Sequence, residues 1–245
     1  MSARDSILAR IREALRVSAP GHHGEGETQP RDGVTGVRQV LPQVPDDFPG
    51  QVALFAERSE GLKTEFLPCA DDSAASAQLK MLAEREKWES IALPADDRIR
   101  TLLSSVSVSK IEVSRATTKT DLEKVSAGIT GCDALIAQTG SVLVTATSAG
   151  GRALSVLPVH HVVIAMSSQV VPDLPAAFEL LERKYAHDFP SFMTFITGPS
   201  RTGDIERVLV LGAHGPRKLS VILIGGNGDS AKGTGAKGTE PATPS

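Results

Sequence analysis

The chain has 245 residues, of which 40% are apolar and 22% charged, a composition typical of a soluble globular protein with one ordinary domain. Lysine and arginine number 26 against 29 aspartate and glutamate residues, and this near balance argues against nucleic acid or another polyanion as a partner. Aromatic residues make up 4% of the chain, too few for a base-stacking platform.

The cysteine and N-terminal patterns limit the cofactors and the compartment. Cys69 and Cys132 are the only cysteines, and they cannot build an iron–sulfur cluster or a cysteine zinc site. We predict that both are reduced core thiols, that the chain binds no cofactor itself and that it is cytoplasmic. No apolar run is long enough for an integral membrane segment, and four arginines interrupt the first 16 residues, where a secretory signal needs an apolar stretch.

The two ends of the chain differ from its centre. Residues 1–16 carry apolar side chains at helical spacing, which predicts an amphipathic helical arm that packs either on its own domain or on a partner. Residues 17–45 are rich in Gly, Pro and polar residues and are interpreted as a flexible linker. Residues 46–225 form the predicted α/β domain. Residues 226–245 are predicted to be a disordered tail, because so few apolar groups cannot offset the entropy lost on ordering.

Helices and strands alternate through the first part of the domain. The predicted helices span residues 52–59, 71–87, 97–103 and 121–127, and the predicted strands span residues 64–67, 90–93 and 110–113. After Gly131 the pattern changes, with strands at 133–138, 141–146, 160–166, 193–197 and 220–224 and a helix at 174–185. The alternation predicts a central, largely parallel sheet with helices on both faces, and the turn Thr139-Gly140 suggests that part of the sheet is antiparallel.

The segment TGPSRTGDIERVLVLGAHGP, residues 197–216, is the first candidate site. Backbone amides of a glycine-rich turn, two hydroxyls and one guanidinium can hold a carboxylate or a phosphate, and we expect the loop beyond the carboxyl ends of the sheet strands. A capped structural turn explains the segment equally well, except for the arginine, since a cap needs no guanidinium. The candidate residues are Gly198, Ser200, Arg201, Thr202, Asp204, His214 and Gly215.

A second segment places Thr139, Gly140 and Ser141 at a strand junction, where they form either an oxyanion site or a simple tight turn. Arg152 follows in a glycine-rich connection. Adjacent histidines open the strand at residue 160, and because neighbouring strand residues face opposite ways, they cannot chelate one metal together. We expect one of them to be buried and the other to face the site. Asp133 is a candidate for fixing a loop rather than for proton transfer, and no G-x-S-x-G triad motif is present.

Three runs of the sequence together resemble one known family. GITGCDALIAQTGSVLV, RALSVLPVHHVVIA and TGPSRTGDIERVLVLGAHGPRKLSVILI are similar to the LUD domain of the lactate utilization protein C family. The opening SARDSILARIREAL is also typical of that family. The resemblance covers most of residues 1–225 and is strongest in the C-terminal half.

The resemblance implies a three-layer α/β/α fold shared with phosphosugar isomerases and CoA transferases. It implies a subunit of a system that oxidises L-lactate to pyruvate, with iron–sulfur clusters on partner subunits and a small anionic metabolite as ligand. It assigns no catalytic residue. The motif positions it carries over are Thr139, Gly140, Ser141, Gly198, Pro199, Ser200, Arg201, Thr202, Asp204, Glu206, His214 and Gly215.

Two departures from the family pattern affect the interpretation. Gln138 stands where members often have Glu, and a Gln cannot act as the carboxylate nucleophile that CoA transferases use. Gly203 replaces the usual Ala. Two alternative functions remain open: a stand-alone enzyme or binding protein for a phosphorylated or CoA-linked small molecule, and a non-catalytic scaffold of the complex.

Overall fold

A computed structural model of the protein describes residues 41–203, 209–212 and 215–225, together with Arg10 and Glu13, which are both helical. Apart from those two residues and residues 41–45, the predicted arm, linker and tail lie outside the described residues. Their assignment therefore stays a prediction.

The helices of the described residues begin at side chains that accept a hydrogen bond from the first turn. Asp47, Asp71, Asp96, Thr118 and Asp173 are the N-caps, as expected for short polar residues at this position. The helices are α1 (Phe48–Gly61), α2 (Asp72–Arg85), α3 (Asp97–Leu102), α4 (Lys119–Lys124) and α5 (Leu174–Tyr185).

Strands alternate with these helices and form three sheets. They are β1 (Glu65–Cys69), β2 (Ser90–Leu93), β3 (Ser109–Glu112), β4 (Ala127–Thr130), β5 (Ala134–Ile136), β6 (Ser141–Thr145), β7 (His160–Met166), β8 (Val170–Val171), β9 (Met193–Ile196), β10 (Arg201–Gly203), β11 (Leu209–Leu211) and β12 (Lys218–Ile224). A six-stranded sheet has the order β1-β12-β7-β4-β2-β3, and every pair in it is parallel. The predicted α/β class with a largely parallel sheet is confirmed.

The antiparallel strands belong to a second sheet rather than to the central one. Strands β5 and β6 pair antiparallel in a four-stranded sheet of order β8-β5-β6-β9. This sheet packs its Leu135 and Val142 against Val163 and Val221 of the parallel sheet, and α5 covers its other face. Because it is covered on both sides, β6 is buried along its whole length. Helices α2 and α3 cover the opposite face of the parallel sheet.

Strand β4, in the centre of the parallel sheet, was not predicted from the sequence. Helix α4 ends at Lys124, and residue 127, which we expected to end that helix, begins β4. The run Ala-Gly-Ile-Thr is short, and its glycine weakens the strand pattern. Gly128 is needed because a Cβ there would lie 2.5 Å from the Leu154 carbonyl oxygen, where the chain crosses over the strand.

Candidate binding site

The turn between β5 and β6 packs tightly against the end of α1. Gly140 has a φ of +65°, and a Cβ at this position would lie 2.8 Å from the Arg58 Cβ and 2.9 Å from the Ser59 amide nitrogen. The hydroxyls of Ser141 and Thr197 share a hydrogen bond of 2.8 Å, which joins this turn to the end of β9. The two segments that we singled out from the sequence therefore meet.

The loop after β9 continues across the same end of α1. Gly198 approaches the Leu62 carbonyl so closely that a Cβ would lie 2.9 Å from its oxygen, and the Arg201 guanidinium donates a hydrogen bond to that carbonyl. Leu62 is the C-cap of α1, and a cation is favourable at the partly negative end of a helix. Arg201 is otherwise exposed. The contact that the structure shows for it is a cap of the helix end, and its contact with an anion stays a prediction.

The remaining residues of the predicted loop are described only in part. The Ser200 amide donates to the Pro216 carbonyl at 2.8 Å, and a Cβ at Gly215 would lie 3.1 Å from the Ser200 Cβ. The backbone of Thr202 lies in β10, which pairs with β11. Asp204, Glu206 and His214 lie outside the described residues.

The expected position of this loop, beyond the carboxyl ends of the sheet strands, is wrong for the parallel sheet. Ser200 bonds Pro216, just before β12, and Arg217 donates to Val159, just before β7. The loop therefore lies at the amino ends of these strands. The reason is that β9 belongs to the second sheet, so its own carboxyl end does not follow the direction of the parallel strands.

The paired histidines of β7 are both buried, which corrects the expectation that only one would be. His161 is 1% exposed and shares a 2.8 Å hydrogen bond with the Thr130 hydroxyl, while His160, 3% exposed, lies on the opposite face beside Ser220 at 2.9 Å. Burial lowers the pKa of His160 to about 4 and that of His161 to about 3, so both rings are neutral at neutral pH.

His161 faces the predicted loop through a small cavity. The cavity measures about 20 Å³, enough for one water molecule, and its polar lining includes the side chains of His161, Ser155 and Ser200. Gly198 and Pro199 form part of its wall. Of the two histidines, His161 is therefore the one on the side of the site.

The side chains of Arg152 and Gln138 are not part of the site formed by the Thr139–Ser141 turn and the loop at Gly198. Arg152 is exposed. Gly150, two residues before it, packs against Pro94, which follows β2 and therefore lies at the carboxyl ends of the parallel strands. The Gln138 amide donates to the Pro42 carbonyl at 3.0 Å, so this side chain ties down the segment before α1.

Asp133 fixes the end of a helix, and the Ser148 hydroxyl of the turn after β6 also bonds it. Its carboxylate accepts hydrogen bonds from Lys184 at 2.6 Å and from Tyr185 at 2.7 Å, which attaches the C-terminal end of α5 to the second sheet. Burial alone would raise the pKa of Asp133, but the hydrogen bonds from Lys184, Ser148, Tyr185 and Thr145 outweigh burial and lower it. Nothing in the sequence had linked Asp133 to α5, 51 residues away.

Helix α1 contributes residues to the candidate site that no sequence motif had indicated. Arg58 and Ser59 pack against Gly140, and the Thr64 amide bonds the Ser59 carbonyl. Each of these three residues carries a buried side-chain nitrogen or oxygen. Helical periodicity placed Ser59 on the buried face, but only the folded chain brings that face to Gly140.

In the described part of the chain, no three His, Cys, Asp or Glu side chains gather as a metal ion would require, and no helix there is both long and apolar enough to cross a membrane.

Comparison with known proteins shows which family the chain belongs to. A family model described as the LUD domain matches residues 52–224, which is well over half of the chain and includes both candidate segments. The chain belongs to the LUD domain family. The resemblance inferred from the sequence motifs is confirmed.

Curated relatives of this LUD domain chain carry a common name. The chain is 36% identical over 104 residues to "Lactate utilization protein C" of Bacillus subtilis, covering 42% of this chain and 43% of the relative. It is 35% identical over 106 residues to the protein of that name from Deinococcus radiodurans, covering 43% and 49%. The matched region thus spans less than half the length of these relatives.

A solved structure supports the fold. A DUF162 family protein from Deinococcus radiodurans superimposes with a TM-score of 0.58 over 74% of this chain and 100% of the other, at 21% identity. At this identity the likeness shows the fold of the LUD domain chain and carries no information on its ligand.

Proposed function

We propose that this LUD domain chain is a component of a lactate utilization system. It provides a site for a small carboxylate at the end of the parallel sheet where strands β7 and β12 begin. The observation that carries the proposal is the hydrogen bond between Ser141 and Thr197, because it joins the two motif segments on which the family resemblance rests. The curated relatives named for lactate utilization support the biological setting.

The chemistry of the site suits an anion. Hydroxyls, the amides of a glycine turn and a guanidinium are hydrogen-bond donors that a carboxylate can accept from, and a charge-assisted pair of such bonds contributes on the order of 1.5–3 kcal/mol. Arg201 uses one nitrogen on the Leu62 carbonyl and is exposed, so its remaining N–H groups are accessible to a ligand.

The oxidation itself requires an electron acceptor that we assign to partner subunits. Conversion of L-lactate to pyruvate releases two electrons and two protons, and in this proposal the electrons pass to iron–sulfur clusters of the partners.

Cys69 and Cys132 are free and buried, as predicted, and burial raises the pKa of both thiols, which makes them unreactive. Phe178, Phe189 and Met193 are about half exposed and offer apolar surface for a partner.

Genetic complementation tests the proposal. A strain that lacks this chain should lose growth on L-lactate and regain it with the wild-type sequence but not with Arg201→Ala. Arg183→Ala, an exposed arginine in the last turn of α5, is the matched control and should restore growth. The tagged chain should also copurify with cysteine-rich cluster proteins. Normal growth of the deletion strain on lactate, with a chain that elutes alone, would refute the proposal.

A further inference from the structure

Four buried polar atoms without a hydrogen-bond partner lie around the end of α1. They are Arg58 Nε, Ser59 Oγ, Thr64 Oγ1 and Thr139 Oγ1, and they make up half of the eight such side-chain atoms in the described part of the chain. The side chains of Ser59 and Thr64 are almost wholly shielded, with residue exposures of 0% and 5%.

Backbone contacts bring these four residues together. The Thr64 amide donates to the Ser59 carbonyl at 2.9 Å, so the two hydroxyl residues flank the C-terminal turn of α1. Gly140 lies against Arg58 and Ser59, which places Thr139, the residue before it, next to the same turn. A Cβ at position 140 would lie within 3 Å of Arg58 and Ser59, so the turn and the helix are in direct contact at Gly140.

The unpartnered groups define the kind of molecule that fits. A buried polar group without a partner costs about 1–3 kcal/mol, so four on neighbouring residues of one helix end and one turn indicate that a polar species belongs there. The Arg58 guanidinium can only donate, and the three hydroxyls can all donate as well. The partner they share must therefore be rich in acceptors, and the charge of Arg58 favours a negative one over a neutral one.

The electrostatics of the helix end allow an anion despite its position. The C-terminus of a helix is partly negative and would repel an anion if its last carbonyls were free. Here the Leu62 amide donates to the carbonyls of Arg58 and Ser59, and Arg201 donates to the carbonyl of Leu62. These carbonyls are therefore occupied by donors, which offset the partial negative charge of the helix end.

We propose that the last turn of α1 and the Thr139-Gly140 turn bind one small oxyanion, a carboxylate or inorganic phosphate, and that Arg58 is the guanidinium that contacts it. Arg201 caps the same helix end, and its remaining N–H groups can also reach the anion. The inference rests on the proposed function only in the expectation that the natural ligand is a carboxylate.

Titration of the purified full chain tests this inference. Acetate, L-lactate and inorganic phosphate are added in turn, and binding is followed by amide chemical shifts of residues 139–141 and by calorimetry. At least one probe should bind saturably. Loss of the charge-assisted bonds in Arg58→Gln should weaken that binding about 10- to 100-fold, while Arg183→Gln, the matched arginine of α5, should leave it unchanged.

A second variant keeps the test decisive if Arg58→Gln folds poorly. Thr139→Val preserves the shape of the side chain and removes one donor, and it should weaken binding several-fold. Phosphate binding without acetate or lactate binding would keep the oxyanion site and remove lactate as the ligand. No saturable response to any probe, meaning that ordered water alone fills the site, or full affinity in both variants, would overturn the inference.

Discussion

Lys87 holds a backbone conformation that favours glycine. It follows α2 with a φ of +53°, and its amide bonds to the Glu84 carbonyl, as in a left-handed helix terminus. Because a Cβ is strained in this region, Lys87→Gly should raise the free energy of unfolding by about 0.5–1 kcal/mol. Urea denaturation measures the change. Lys80→Gly, inside α2, should lower the stability by about 1 kcal/mol, and equal losses in both variants would contradict the assignment.

The carboxylate of Asp133 needs its lysine partner. Lys184→Met would leave this fully buried charge with hydroxyl donors only. We expect a loss of about 1–2 kcal/mol, less than for a buried pair because Lys184 is about half exposed. Thermal unfolding checks the value, with Lys80→Met on α2 as a control that changes stability by less than about 0.5 kcal/mol. An unchanged Lys184→Met protein would show that α5 does not depend on this contact.

At the scale of elements, the contact between α1 and the β5–β6 turn depends on the absence of one side chain. Gly140→Ala would place a Cβ 2.8 Å from the Arg58 Cβ at a φ of +65°, and we expect about 2–4 kcal/mol of destabilisation together with weaker anion binding. Gly61→Ala, at the end of the same helix, meets no atom within 4 Å and should be neutral or stabilising by about 0.5 kcal/mol. Chemical denaturation compares the two, and tolerance of Gly140→Ala would mean that the helix and the turn are not in close contact.

The buried histidines of β7 make the stability of the sheet depend on pH. Histidine in the unfolded chain has a pKa near 6.5, whereas the folded values for His160 and His161 are about 4 and about 3. The unfolded chain therefore binds more protons below pH 6.5. The stability that these residues contribute is present above pH 6.5 and falls on acidification by up to about 1.4 kcal/mol per pH unit for each histidine.

Denaturation between pH 5 and pH 6.5 isolates this effect, because the pKa values of Glu65 and Asp133 are lowered and these carboxylates titrate at more acidic pH. His161→Asn should reduce the slope of stability against pH. His187→Gln, an exposed position after α5, should not alter it. A wild-type slope of zero in this range would contradict burial of neutral rings.

The elements that the sequence predicted well are those with strong local signals. The apolar run His160–Met166 is a strand with the predicted bounds, and α5 begins and ends at the predicted residues. Strand β4 was missed because Gly128 interrupts its apolar pattern for a reason that only the crossing chain at Leu154 reveals. The second sheet was not foreseen, since a hairpin pattern does not tell which sheet the strands join.

At the scale of the whole molecule, local sequence patterns suggested the two segments of the candidate site but could not predict how the folded chain assembles it. The glycine and hydroxyl pattern of Thr139-Gly140-Ser141 and of the loop at Gly198 fitted either an anion site or a structural turn, and local composition could not decide between them. That α1 completes the site with Arg58 depends on the contact between residues about 80 positions apart, which no local pattern encodes. The expected position of the loop at the carboxyl ends of the parallel strands was wrong, because β9 lies outside the parallel sheet.

A crystal structure of the protein soaked with L-lactate tests the central claim most directly. We expect the carboxylate of lactate at the end of the parallel sheet where β7 and β12 begin. It should lie within hydrogen-bonding distance of the Thr139–Ser141 turn and of Arg58. Lactate found instead at the carboxyl ends of β2 and β4, near Pro94, would contradict it. Crystals in which ordered water alone occupies the turn at saturating lactate would contradict it equally.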